Sequence, residues 1–127
     1  MGHPLIERLT TELGWPRLAT VDDVLGWLGR PGTHVLYVPG GWKRNLETAD
    51  VAVILREVAA ACQGRFDCAV VAAEAEDSVK DSSGVNKTPS LIFYRDGVCL
   101  GGIPKVRDWD DYMARVTRFL DHPIAAE

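Results

Sequence analysis

Apolar positions along the chain alternate between helical spacing and short continuous runs, and that alternation lays out the elements. Leu5, Ile6, Leu9 and Leu13 fall on one helical face behind Pro4, predicting a first helix over about residues 4–13 that Gly14 ends. Arg17-Leu18-Ala19 is long enough only for a short edge strand. Thr20, with Asp23 three positions on, predicts the N-cap of a second helix. Its expected apolar face is Val21, Val24, Leu25 and Leu28, and Arg30-Pro31-Gly32 closes it. Val35-Leu36-Tyr37-Val38 is apolar throughout and β-rich, the pattern of a central strand covered on both faces. After an irregular loop, Val51, Ile54, Leu55, Val58 and Cys62 make the stripe of a long helix from about Leu46 to Cys62, stopped by Gln63-Gly64.

Phe66 to Ala73 reads as a second buried strand, followed by an acidic segment with a short helix around Val79. Two apolar runs flank Asp96-Gly97, a strong hairpin signal because a primed turn needs residues with positive φ. Pro89 lacks a ladder donor and therefore belongs at the entrance of the first hairpin strand. Asp108 predicts the cap of a last helix with Trp109, Tyr112, Met113, Val116 and Leu120 on one face. The order α-β-α-β-α-β-α-β-β-α implies parallel pairing through right-handed crossovers, with the hairpin as an antiparallel edge and helices on both faces.

Length and composition add bounds. At 127 residues, with 46% hydrophobic and 25% charged, the chain reads as one globular domain over 1–127 with its core at about 17–121. No apolar run nears the ~20 residues that cross a bilayer, and no basic-then-apolar leader opens the chain, so a cytoplasmic location without membrane insertion is expected. A net charge of −4 argues against nucleic acid, whose binding starts from a basic patch. Cys62, Cys68 and Cys99 are odd in number and scattered, which suits reduced, buried thiols. His3, His34 and His122 lack neighbours at ligand spacing and read as surface or strand-end residues, so no metal or cofactor is expected. Pro39-Gly40-Gly41-Trp42-Lys43 departs from the phosphate-cradling loop pattern, and nothing nominates a nucleophile.

The element order, together with Thr88-Pro89 and the hairpin-then-helix ending, resembles the thioredoxin fold. The implied class is α/β: a thioredoxin-like three-layer α/β/α sandwich with a mixed sheet, a parallel β-α-β half plus an antiparallel C-terminal hairpin. That resemblance implies a cis Pro89 facing the place of a redox motif. The chain departs from the family there. The slot for the two cysteines, about Asn45-Leu46-Glu47-Thr48, has none, and the central strand has no carboxylate. Val35 to Arg44, Glu47 to Val53, Thr88-Pro89-Ser90-Leu91 and the Arg95-Asp96-Gly97 turn are more specifically similar to the HyaE/HupG family of thioredoxin-like accessory proteins in nickel–iron hydrogenase maturation. The resemblance implies a chaperone that recognises the twin-arginine signal peptide of the hydrogenase small subunit before export.

Three surfaces are candidates for such a partner. Trp42, Lys43 and Arg44 combine an aromatic with two cations at a strand's C-terminal end, either a binding hot spot or a solvated cover for the sheet edge. Glu74, Glu76, Asp77 and Asp81 could meet arginines through charge-assisted pairs, or be an ordinary solvated face. Thr88 and Pro89 would shape a groove together with the Trp42 loop, as the resemblance implies. Asp108, Asp110 and Asp111 read better as helix N-terminal charges. Two other functions stay open: a divergent thiol–disulfide oxidoreductase using Cys62 and Cys68 or a single thiol, and a protein-interaction module with another partner or a role in homo-oligomerisation.

Overall fold

A computed structural model describes residues 4–40, 47–62, 64–105 and 108–121. Its elements run α1 (Pro4–Thr11), β1 (Arg17–Leu18), α2 (Val21–Leu28), β2 (Thr33–Val38), α3 (Glu47–Cys62), β3 (Asp67–Val71), α4 (Ala73–Ser83), β4 (Ser90–Arg95), β5 (Val98–Pro104) and α5 (Trp109–Leu120). The sheet order is β1-β3-β2-β4-β5. β1 and β2 run parallel to β3, whereas β4 is antiparallel to β2 and β5 to β4.

The period-2 geometry of strands divides the core into two layers. Val35, Tyr37, Cys68, Val70, Leu91 and Phe93 point to the face covered by α1, α3 and α5. Leu36, Val38, Ala69, Val71 and Ile92 point to the face covered by α2 and α4. Val35 to Val38 are fully buried, as the unbroken apolar run of β2 requires. The result is a mixed α/β/α sandwich.

Local signals act where expected. Thr20 Oγ1 accepts from the Asp23 amide at 3.0 Å while the Asp23 carboxylate accepts from the Thr20 amide at 3.3 Å, closing a capping box on α2. Asp96 and Gly97 have φ of 51° and 84°, the doubly positive geometry of a tight primed hairpin turn. Pro89 is cis and directly precedes β4. Arg95 donates to the carbonyls of Phe119 at 2.8 Å and Leu120 at 2.5 Å, tying β4 to the end of α5.

Several expectations are corrected. On α2 the buried stripe is Val24, Trp27 and Leu28, and Val21 and Leu25 face outward. Trp27 takes the inner position because its ring packs on the buried His34 imidazole, with centroids 4.9 Å apart, and beneath the Arg30 guanidinium. Leu13 lies past the end of α1 and is exposed. Trp109 stands at the first turn of α5, outside the packed stripe of Tyr112, Val116 and Leu120. Asp108 holds the N-cap position of α5, but its side chain makes no capping hydrogen bond. The acidic segment forms an 11-residue helix, α4, because Ala75 and Val79 bury one side and Gly84 ends it at φ 77°. Cys99 is exposed on the edge strand β5.

Candidate functional site

β2 and β3 are neighbours, yet the chain leaves β2 toward α3 on one face and leaves β3 toward α4 on the other. Adjacent strands that exit to opposite faces open a crevice at their carboxyl ends, the usual ligand position in open α/β sheets. A cavity of about 560 Å³ occupies that place. Its floor and walls are Ile6, Glu7 and Thr10 of α1, Arg17 of β1, Pro39 and Gly40 after β2, Val70 to Ala73 at the end of β3, and Glu76 of α4.

Glu76 is the half-buried acid of this group. Its Oε2 accepts a hydrogen bond from the Gly40 amide at 3.0 Å. Burial pushes its carboxyl above the usual carboxylate range, against the Gly40 hydrogen bond and the Lys80 charge that favour ionisation; Asp77 adds to the rise. Tyr37, buried beneath, is held neutral chiefly by burial, then by Tyr112 and Glu76. Gly40 has φ 75°, and a Cβ built on it would lie 2.4 Å from Thr88 Oγ1. The exit of β2 is therefore pressed against the entrance of β4. Behind it, the Pro89 carbonyl accepts from the Lys105 amide at 2.7 Å, and the Tyr112 hydroxyl donates to the Lys105 carbonyl at 2.5 Å.

Among the predicted site residues, the fold brings Glu76 into the crevice, Thr88 against its Gly40 wall and Pro89, buried, directly behind. Glu74 is exposed and ion-paired with Arg17 at 3.3 Å. Asp77 and Asp81 lie on the exposed side of α4, outside the cavity lining. Trp42, Lys43 and Arg44 fall outside the described residues. Sequence reasoning missed the walls given by α1 and Arg17: nothing in the spacing of Ile6, Glu7 and Thr10 says which strand end they meet. It also missed His34, which is buried and hydrogen-bonded to the Asp67 carboxylate and, at 2.9 Å, to the Arg30 carbonyl. His3 and His122 lie outside the described residues.

The thiols stand elsewhere. Cys62 ends α3, 16 residues long, so it lies about 22 Å along the axis from the helix start at 1.5 Å per residue. Cys68 is buried in β3, and its thiol is pushed up strongly by burial, with Asp67 and Cys62 adding to the rise. Burial also raises Cys62, and Cys99 despite hydrogen bonds from the Gly101 amide and the Tyr94 hydroxyl. Among the described residues no group of three His, Cys, Asp or Glu side chains is arranged to hold a metal ion. No helix among them is long and apolar enough to cross a membrane. The crevice thus offers binding chemistry: a carboxylate fixed by a backbone donor, a second carboxylate and a guanidinium at its rim, and a hydrocarbon floor.

Comparison with solved structures places the fold. The chain superposes on mitochondrial thioredoxin 3 of Saccharomyces cerevisiae with a TM-score of 0.68 at 10% identity, covering 83% of this chain and 95% of that one. Thioredoxin of Fasciola hepatica gives 0.67 at 16% identity, covering 82% and 98%. In sequence, the chain is 54% identical over 118 residues to the hydrogenase expression/formation protein HupG of Rhodobacter capsulatus, covering 93% of this chain and 86% of that protein. It is 36% identical over 126 residues to the hydrogenase expression/formation protein HoxO of Cupriavidus necator, covering 96% and 76%. The family profile described as hydrogenase-1 expression protein HyaE matches residues 5–112. A thioredoxin-fold chain with these relatives and that match belongs to the HyaE family of hydrogenase expression proteins.

Proposed function

We propose that the chain is an accessory protein of nickel–iron hydrogenase maturation. In this reading it binds the hydrogenase small subunit through its twin-arginine signal peptide in the cytoplasm, before export, and catalyses no reaction. Family membership supports the accessory role. The observation that carries the peptide reading is the crevice between β2 and β3, where an apolar floor meets the half-buried Glu76 carboxylate. An arginine-bearing segment is well matched to such a place, because guanidinium–carboxylate pairs are charge-assisted and can be bidentate. Exposed Glu74, Asp77 and Asp81 on the same helix add attraction at longer range. Trp42, Lys43 and Arg44, an aromatic with two cations, are further candidate contacts on sequence grounds.

The absence of catalysis is supported by the thiols. A thiol–disulfide exchanger needs an accessible thiolate of low pKa with a resolving partner. Cys62 and Cys68 are buried with raised pKa values, and the redox slot at Asn45 to Thr48 has no cysteine. Capture of the purified small subunit, with and without its signal sequence, tests the proposal. Capture of the full form alone is expected; equal capture of both forms removes the signal peptide from the reading.

A further inference from the structure

Helix α2 buries one side and leaves an apolar patch on the other. Val24, Trp27 and Leu28 face the core, while Val21 and Leu25, one turn apart on the outer side, are 46% and 63% exposed. Leu25 is the most exposed large apolar side chain among the described residues. Next to it stands Gly26. A Cβ built there would meet nothing within 4 Å, so no contact inside the molecule requires glycine, although glycine weakens a helix relative to alanine. Asp22, Leu25, Gly26 and Gly29 are all exposed and fall at i, i+3, i+4 and i+7. That spacing outlines the four-residue hole into which a neighbouring helix inserts a side chain, and the two glycines leave room in it.

Charge selects the occupant. β1 and β3 run parallel and each leads into its helix within a few residues, so α2 and α4 run in the same direction over one core layer. Arg17 and Arg30, which flank α2 in the chain, are paired with Glu74 and Asp67, and Lys80 acts on Glu76. Asp22 on α2, and Asp77 and Asp81 on the exposed side of α4, have no ion pair among the described residues. A second copy would bring the same carboxylates to the seam, and like charges oppose such a pairing. A basic partner is attracted to it.

We infer that the outer face of α2 is a helix-docking surface for a partner protein, whose amphipathic helix presents an apolar side chain to the Leu25–Gly26 hole and Lys or Arg beside it. The surface is separate from the crevice, since none of its residues lines that cavity.

The test is an amide-resolved NMR titration of the full chain with three hydrocarbon-stapled helices. One carries a leucine stripe flanked by lysines, one has glutamates in place of the lysines, and one has the leucines spread around the helix. The lysine helix is expected to shift the Leu25, Gly26 and Gly29 amides and to leave the Gly40 amide in place. The glutamate and spread forms should bind about tenfold more weakly or worse. Leu25→Glu should lose a similar factor by removing the apolar contact. Gly26→Leu fills the hole and should also cost about tenfold, while its unfolding midpoint equals or exceeds that of wild type, because leucine is the better helix former and enters open space. Both variants should capture the small subunit as wild type does. No binding of the lysine helix, or binding indifferent to Leu25→Glu or Gly26→Leu, overturns the proposal. A concentration-dependent dimer in sedimentation that Leu25→Glu dissolves does so too, because the occupant is then a second copy. A twin-arginine signal peptide that shifts the Leu25 and Gly26 amides, or loss of small-subunit capture in a folded Leu25→Glu protein, gives the face to that partner and overturns a separate docking surface.

Discussion

The Gly40 amide donates to the Glu76 carboxylate at 3.0 Å, so the chain leaving β2 is fixed by a side chain of α4. Burial outweighs that hydrogen bond and holds the carboxyl above its ordinary range. The charged or titratable groups around it are Lys80 and Asp77 on α4, Tyr37 on β2, and Glu7 and Arg17 across the crevice. A carboxyl with a folded pKa above its unfolded value of about 4.3 contributes stability that is complete below that value. The contribution is lost as pH rises through the folded pKa. Glu76→Gln, neutral at every pH, should therefore match wild type near pH 4 and exceed it at pH 7 in urea-unfolding midpoints. A Gln variant less stable than wild type at pH 7 would show that the ionised carboxylate is stabilising there.

Gly40→Ala should be costly for two separable reasons. The residue holds φ 75°, and its new Cβ would meet Thr88 Oγ1 at 2.4 Å and Thr88 Cβ at 2.7 Å. Strained backbone of this kind costs about 1–3 kcal/mol, and the contact adds to it. In a double-mutant cycle with Thr88→Gly, which removes both contacting atoms, the coupling should be favourable and the backbone part should persist. Additive effects would mean that Gly40 and Thr88 are not pressed together.

Ser90 is 1% exposed, and its hydroxyl has no hydrogen-bond partner among the described residues. Deleting an unpaired buried hydroxyl removes a desolvation cost and little else. Ser90→Ala is expected to leave stability unchanged or raise it by up to about 1 kcal/mol. A loss above that, read from denaturant midpoints, would reveal a partner for the hydroxyl.

Thiol labelling of the native chain near pH 8 should proceed in order of exposure. Cys99, exposed on β5, should react first, and more slowly than a free thiol because its pKa is raised. Cys62 and Cys68 should react only as the protein opens. Replacing all three with serine should leave partner capture intact, provided unfolding curves confirm the fold, and insulin reduction should be absent with or without them. Cysteine-dependent insulin reduction would establish an oxidoreductase.

Much of the fold was legible because a few signals are local and strong. The unbroken Val35 to Val38 run could only be a strand covered on both faces, Thr20 with Asp23 wrote its own cap, and Asp96-Gly97 wrote its turn. Other choices depend on neighbours distant in sequence. Trp27 displaces Leu25 from the core because His34 lies opposite it, and no spacing within α2 encodes that. The site was legible as a set of acids and as the Thr88-Pro89 pair, without the arrangement that joins them. Glu74, Glu76, Asp77 and Asp81 were nominated together, but only the burial of Ala75 and Val79, which orients α4, brings Glu76 to the crevice. The α1 wall was invisible, since helix periodicity tells which face is buried and not which strand end lies beneath it.

Competition on the intact small subunit tests the central claim most directly. With the subunit captured on immobilised accessory protein, a synthetic twin-arginine signal peptide should displace it completely, and the same peptide with both arginines changed to lysine should displace it poorly. A subunit that stays bound at saturating signal peptide would contradict the account.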